Sequence, residues 1–298
     1  MKLSLGPVQF YWSAGSLHQF YDEMAKLPLD VIYLGETVCS KRRAFSLSDW
    51  LALARKLKTV SHAEIVLSGL TLIEATSELS SLKRLCRNGE FLVEANDMGA
   101  VQFLIEQNLP FVAGPALNVY SGHALAELRQ HGMCRWVPPV EASCTIIGSA
   151  LQQLDELGIS RPEVEIFAYG HLPLAYSARC FTSRAENRPK DDCQLCCMKY
   201  PEGIAVNSQE GEIIFTLNGI QTMSGKVCHL LPHYEELQAL GANLLRLSPR
   251  IENMGTVIGA YDDVRQGRST SFTEIEACDG FWHGKAGMTQ LRRETEVC

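Results

Sequence analysis

The sequence predicts an α/β fold, a (β/α)8 TIM-like barrel with a cysteine-rich insertion after strand 7. Three observations carry this. Short β-rich runs alternate with amphipathic helical stretches along most of the 298 residues. Most runs are apolar at consecutive positions, as strands covered on both faces are. Their starts lie about 20–35 residues apart until the seventh, and the interval to the eighth is about 80.

The eight runs are Leu3–Val8, Val31–Gly35, Ile65–Gly69, Phe91–Ala95, Phe111–Leu117, Arg135–Glu141, Val164–Gly170 and Asn243–Ser248. A ninth β-like run, Glu212–Leu217, falls in the long interval. Leu17, Phe20, Tyr21 and Met24 make one face of the first helix, and Trp50, Leu51, Leu53, Ala54 and Leu57 load the second. The stretch from Ile73 to Leu85 repeats that pattern. Ser48, Asp97, Ser121 and Ser143 stand at N-cap positions, where a short polar side chain can accept from a free helix N–H. Gly158 and Gly241 are placed to stop helices. An open doubly wound sheet is the rival, but the dinucleotide fingerprint and the P-loop are both missing. At roughly 250 residues, an α/β barrel fills one domain. The expected organisation is a single unit over 1–280, with the inserted loop at 171–225, followed by a polar tail at 281–298.

Composition narrows the function. Twenty-seven Lys and Arg against 34 Asp and Glu leave a net charge of −7. A chain that acidic is not a general polyanion binder, so no DNA partner is expected, although Lys41, Arg42 and Arg43 form a local basic run. No apolar stretch reaches the ~18 residues of a membrane helix, so no transmembrane segment is expected. Gly6, Pro7 and Gln9 interrupt the first apolar residues before a signal core develops, which predicts a cytoplasmic protein. In that compartment thiols stay reduced, so eleven cysteines point to buried thiols, metal ligands or catalysis rather than to a disulfide scaffold.

Reactive groups of such barrels sit at the C-terminal ends of strands. Cys39 follows the second strand, and Cys180 follows the seventh by ten residues; Cys193, Cys196 and Cys197 continue the same loop. If the long loop folds inward, the two loops meet over the barrel mouth. Four thiolates would suit a four-iron cluster, whereas Cys193 and Cys196 in Cys-x2-Cys spacing would suit zinc. Unliganded thiols are the plain alternative. Adjacent Cys196 and Cys197 cannot both reach one metal from a relaxed loop. Arg42, Arg43, Arg179, Lys190 and Lys199 lie beside these cysteines and favour thiolates. Cys86, Cys134, Cys144 and Cys228 read as structural thiols, and Cys278 and Cys298 as solvent-exposed tail residues. Glu36, Glu94, Glu141 and Glu165 lie on or just after strands and could ring the mouth, or be ordinary loop and edge charge. His171 ends the seventh run, with a site role and a plain hydrogen-bonded role equally open. His229 and His233 have helical spacing, but Pro232 breaks the helix they would need, so metal binding by that pair is not expected. Neither a zincin motif nor a nucleophile elbow occurs.

The stretch 165–183 resembles the signature of the collagenase-like peptidase family. Glu165, Phe167, Gly170, Leu172, Cys180 and Ser183 fit it, while His171, Pro173 and Ala178 depart from it. Those departures, with segments 31–43, 169–180, 188–197 and 217–225, are similar to the UbiU/UbiV branch, which serves oxygen-independent ubiquinone biosynthesis. The resemblance implies a [4Fe-4S] cluster held by Cys39, Cys180, Cys193 and Cys197, with Cys196 outside the ligand set. It further implies a heterodimer with a UbiU-like protein, a UbiT-like lipid-binding protein, and a ubiquinone precursor as the molecule hydroxylated. A collagenase-like peptidase, or a cluster that only props up the inserted loop, are the other readings.

Overall fold

A computed structural model describes residues 1–291. Eight parallel strands close on themselves: β1 (Lys2–Leu5), β2 (Val31–Leu34), β3 (Glu64–Ser68), β4 (Leu92–Ala95), β5 (Phe111–Ala113), β6 (Met133–Trp136), β7 (Glu163–Tyr176) and β11 (Leu244–Leu247). Closure is explicit in the register, since Leu244 pairs with both Lys2 of β1 and Glu165 of β7. Helices α1 (Ala14–Met24), α2 (Leu47–Val60), α3 (Thr76–Cys86), α4 (Met98–Ile105), α5 (Gly122–Gln130), α6 (Cys144–Glu156), α8 (Tyr234–Leu240) and α9 (Met254–Arg265) follow the strands in turn, apart from the inserted α7 (Phe181–Ala185). The predicted (β/α)8 barrel is therefore present.

The caps show local chemistry at work. Asp97, Ser121 and Ser143 each accept a helix N–H as expected. Ser48 does not: α2 is capped two residues earlier by Ser46, whose hydroxyl accepts from Asp49 N while Asp49 accepts from Ser46 N. The reciprocal pair satisfies two free donors where Ser48 would satisfy one. Gly241 ends α8 with φ +92°, a left-handed turn that suits glycine.

The long interval is not a loop. After Gly170, β7 leaves the barrel and its upper half pairs with antiparallel β10 (Gln221–His229), which carries β9 (Ile213–Asn218) and β8 (Ile204–Asn207). Gly170 has φ +122°, and a Cβ there would lie 2.5 Å from that of Ser248. Cys278, expected in a solvent-exposed tail, instead sits on β12 (Ala277–Cys278), paired beside Cys228 and 1% exposed. Trp282, within the stretch expected to be a polar tail, is also buried. The sheet edge left by β10 recruits this segment, because its unpaired N–H and C=O groups need partners. Cys298 lies outside the described residues.

The barrel encloses a charged interior above a small apolar layer of Val31, Val66, Val112, Val137 and Leu244. Glu165 accepts from Ser4 Oγ (2.6 Å), Tyr33 OH (2.5 Å) and Arg246 Nε (2.8 Å). Arg246 also donates to Glu94 (2.6 Å), which Ser68 Oγ braces at 2.6 Å. Arg135 reaches Glu163 and Glu64, both at 2.7 Å. Burial alone would raise the Glu165 pKa, but Arg246, Arg135 and Ser4 together hold it below the usual carboxylate range. Removing one charge strands the others. Glu165→Gln is accordingly expected to lower the unfolding free energy by about 3–5 kcal/mol in urea titrations, whereas Arg55→Ala on the exposed Arg55–Glu90 pair leaves it nearly unchanged.

A second stability prediction concerns His229. Its ring lies edge-on to Tyr169, Tyr261 and Phe272, and its Nδ1 is buried without a partner. Burial lowers its pKa from 6.5 to about 4. Between those values the unfolded chain binds the proton and the folded chain does not, so stability is full above 6.5 and falls on acidification toward 4. The loss attributable to this group is on the order of 3 kcal/mol. Denaturant midpoints from pH 7 to 4.5 should show a slope that His229→Phe flattens.

Candidate functional site

The cysteines gather above the barrel mouth because two loops are tied together there. The first, after β2, begins at Gly35, whose φ of +139° and 2.3 Å approach to the Ser68 carbonyl exclude a side chain. Glu36 then turns the chain by accepting from Val38 N (2.9 Å) and Cys39 N (3.0 Å). Arg42 N bonds the Cys39 carbonyl at 3.0 Å and closes the turn. The second loop starts with Cys180, the N-cap of α7, whose Sγ accepts from Ser183 N at 3.4 Å. The tight β9–β10 turn holds that helix down: Phe181 N donates to Gly219 O (2.7 Å) and Gly219 N to Thr182 Oγ1 (2.9 Å).

Lys41 fastens one loop to the other through the Lys190 carbonyl (2.7 Å) and Asp191 (3.3 Å). Between Cys193 and Cys196, Gln194 and Leu195 are both left-handed, with φ of 47° and 53°. Non-glycine residues rarely adopt that conformation, and two in succession turn the chain sharply. Cys196 is buried, while Cys39, Cys180, Cys193 and Cys197 are each partly accessible. The adjacent cysteines thus differ in environment, as their spacing requires.

The thiols feel one another. Burial raises the Cys39 pKa, and Cys180 adds to the rise against Arg42. Burial likewise raises Cys197, opposed first by Arg42 and reinforced by Cys180 and Cys196. Cys196 is raised by burial and then by Cys180 and Cys193. A single zinc in a thiolate tetrahedron would need sulfurs about 3.8 Å apart, from Zn–S bonds near 2.3 Å. Among the described residues, no three of these sulfurs lie within 4.8 Å of one another.

Arg42 is the feature that reading the chain did not isolate. The basic run suggests a surface patch, yet Arg42 is 4% exposed, between half-buried Lys41 and exposed Arg43. Its Nη1 donates to Gln9 O (2.7 Å) and its Nη2 to Asn218 Oδ1 (2.6 Å), leaving Nε buried and unpartnered. The neighbouring Asn218 and Gln221 bond Gln9 in turn, at 2.8 and 2.6 Å. The Glu36 carboxylate lies 3.9 Å from Arg42 Nη1, and the guanidinium opposes the burial that raises the Cys39 and Cys197 thiols.

The other candidates separate into roles. Glu36 braces the Cys39 turn, while Glu94 and Glu165 belong to the interior ion network. Glu141 lines a cavity of about 360 Å³ at the C-terminal face, with Asn118, Tyr120, Pro139, Leu174 and Tyr176. The four carboxylates therefore do not form one ring at the mouth. His171 takes the plain role, its Nδ1 2.8 Å from Ser224 O and its pKa lowered by burial. His229 and His233 do not share a helix, since Leu231–His233 forms a 3-10 turn at Pro232. Cys86 and Cys228 are buried on α3 and β10; Cys134 and Cys144 are partly covered on β6 and α6.

With that geometry in hand, likenesses to known proteins can be set out. The U32 peptidase Mk0906 is 12% identical, with 84% of this chain and 93% of that chain covered and a TM-score of 0.45. A DHPS from Yersinia pestis is 10% identical over 90% and 94% of the two chains, at a TM-score of 0.44. A chain of the tryptophan synthase complex from Pyrococcus furiosus is 12% identical over 89% and 95%, at 0.42. Residues 15–277, which hold almost the whole barrel and the entire cysteine-bearing insertion, match the family model described as peptidase family U32, and the chain belongs to that family.

Proposed function

We propose that this chain is the iron–sulfur subunit of an oxygen-independent hydroxylation system in ubiquinone biosynthesis, a UbiV-like protein working as a heterodimer with a UbiU-like partner and a UbiT-like lipid-binding protein. The observation that carries the proposal is the neighbourhood of Cys39, Cys180, Cys193 and Cys197 over the barrel mouth, with buried Arg42 beside it. The donor set fits a [4Fe-4S] cluster, which takes four thiolates.

When bound, such a cluster with four protein ligands supplies one-electron transfer. The chain's own residues do the rest. Arg42 offsets negative charge from the thiolates. Glu36 orients Cys39 through its backbone N–H, and the N-terminus of α7 presents Cys180. Lys41 keeps the two loops together. The cavity lined by Tyr120, Glu141 and Tyr176 offers an aromatic-walled place at the same barrel face for a ring substrate. For the peptidase reading, no water-activating zinc triad with a carboxylate base stands at this site.

Anaerobically purified protein is expected to be brown, with about four irons per chain. Alanine at Cys39, Cys180, Cys193 or Cys197 should abolish the colour, and Cys196→Ser should keep it. Arg42→Gln should leave the iron bound but move the reduction potential to a more negative value. Colourless, iron-free protein after anaerobic reconstitution would sink the cluster. Brown protein whose co-expression with the UbiU-like partner restores no hydroxylated ubiquinone precursor would leave the cluster and sink the pathway.

A further inference from the structure

We infer that His233, Asp279 and His283 form a second, mononuclear metal site, one that binds a divalent first-row transition ion and is separate from the cysteines. Among the described residues this is the one group of three His, Cys, Asp or Glu side chains whose ligand atoms all lie within 4.8 Å of one another. His233 Nε2 is 2.9 Å from Asp279 Oδ2, and His283 Nε2 is 3.4 Å from His233 Nε2 and 4.0 Å from the same Asp279 oxygen. His233 and Asp279 are 3% and 6% exposed, and His283 stands at the opening.

Proton counting makes this cluster informative. Glu236 Oε1 lies 3.3 Å from His233 Nδ1 and favours the tautomer with its proton there. That leaves a lone pair on Nε2 directed at an anionic oxygen 2.9 Å away and at a second ring nitrogen. If the proton sits on Nε2 instead, it satisfies Asp279 and leaves the His283 contact without a bond. No single proton serves every contact of a neutral His233. A cation standing where the three atoms converge would satisfy all three at once. A carboxylate behind the distal ring nitrogen is what orients a metal-bound histidine and makes it a better donor.

The rest of the cluster is built to be held still. Asp279 Oδ1 is occupied by Leu291 N at 2.8 Å, which leaves Oδ2 for the ion. Trp282 Nε1 donates to the other Glu236 oxygen at 3.1 Å, so the residue between the ligands fixes the positioning carboxylate. Two imidazoles and one carboxylate select zinc, iron(II), cobalt or nickel over calcium and magnesium, and three protein donors leave a coordination position open at the His283 side. The site would clamp the 277–291 segment to the 3-10 turn before α8. His229 and His233, paired by spacing, part company here: His233 finds its partners 46 and 50 residues downstream.

The test is cobalt(II) titration of the full-length protein, carried out anaerobically with the cysteine site in its as-isolated state. Wild type is expected to take up one more equivalent than His283→Gln, with ligand-field bands that lack sulfur charge transfer. Zinc should raise the melting temperature of wild type only. His283 is partly exposed, so His283→Gln should melt like the wild type without metal, and Asp279→Asn serves as the second ligand variant. Glu236→Gln, a positioning variant, should bind about 10–100-fold more weakly. Equal uptake and equal zinc response in wild type and both ligand variants would overturn the site. So would an NMR spectrum in which the His233 ring stays doubly protonated and unmoved by added zinc.

Discussion

Strand β7 has to satisfy the backbone of two different sheets. Its lower half closes the barrel between β6 and β11, and its upper half runs past the rim as far as Tyr176. Beyond Gly170 there is no barrel neighbour to take its N–H and C=O groups, and β10 supplies them. The insertion is thus hydrogen-bonded into the barrel wall rather than hung from it. Everything after Tyr176, including Cys180 at the head of α7, starts from a rigid ledge. The β9–β10 turn then reaches back to pin α7, which holds Cys180 at the head of that helix. Pro173 is tolerated because the β7–β10 register is already irregular beside it.

The barrel interior follows a related logic. Inward positions on neighbouring strands present Ser4, Tyr33, Ser68, Glu94, Arg135, Glu165 and Arg246, a polar set where many barrels place branched aliphatics. Replacing such a set with apolar side chains of similar volume can be neutral for stability. Its value lies in position: the Glu94–Arg246 pair forms part of the wall of a small cavity at the mouth, next to the larger one lined by Glu141. Charges buried this deeply keep a fixed geometry and field at the face where the cysteines and the aromatic-walled cavity lie.

The eight barrel strands were legible because they are covered on both faces and most read as consecutive apolar runs. Strands β8, β10 and β12 were not legible, for different physical reasons. Residues Ile204–Asn207 alternate between half-exposed and exposed, β10 carries Gly225 at a bulge, and β12 is only two residues long. Their strand character comes from edges that other parts of the fold create. Cys278 illustrates the same point, being buried by a pairing that no local pattern announces. At the cysteine site, residue types and spacing marked candidate donors, but Arg42 looked like one basic residue among three. Only its tertiary partners, Gln9 and Asn218, distinguish it from Lys41 and Arg43.

Strand β10 also sets how the two candidate centres relate. One end, at Gln221, joins the Gln9–Asn218–Arg42 group beside the cysteines; the other, at His229, leads into the turn that carries His233. Nine residues of strand span roughly 25 Å at about 3.3 Å per residue. No ligand can be shared over that length, and a change of charge at one end is screened well before the other. The two sites therefore stand or fall on separate chemistry. Sulfur donors gather at the end where Lys41 and the β9–β10 turn tie two loops together. Nitrogen and oxygen donors gather where the C-terminal segment is bound back onto the barrel. An ion at the second place would act first on order, by tying 277–291 to β10 and α8, and through them would support the ledge from which the cysteine loop departs.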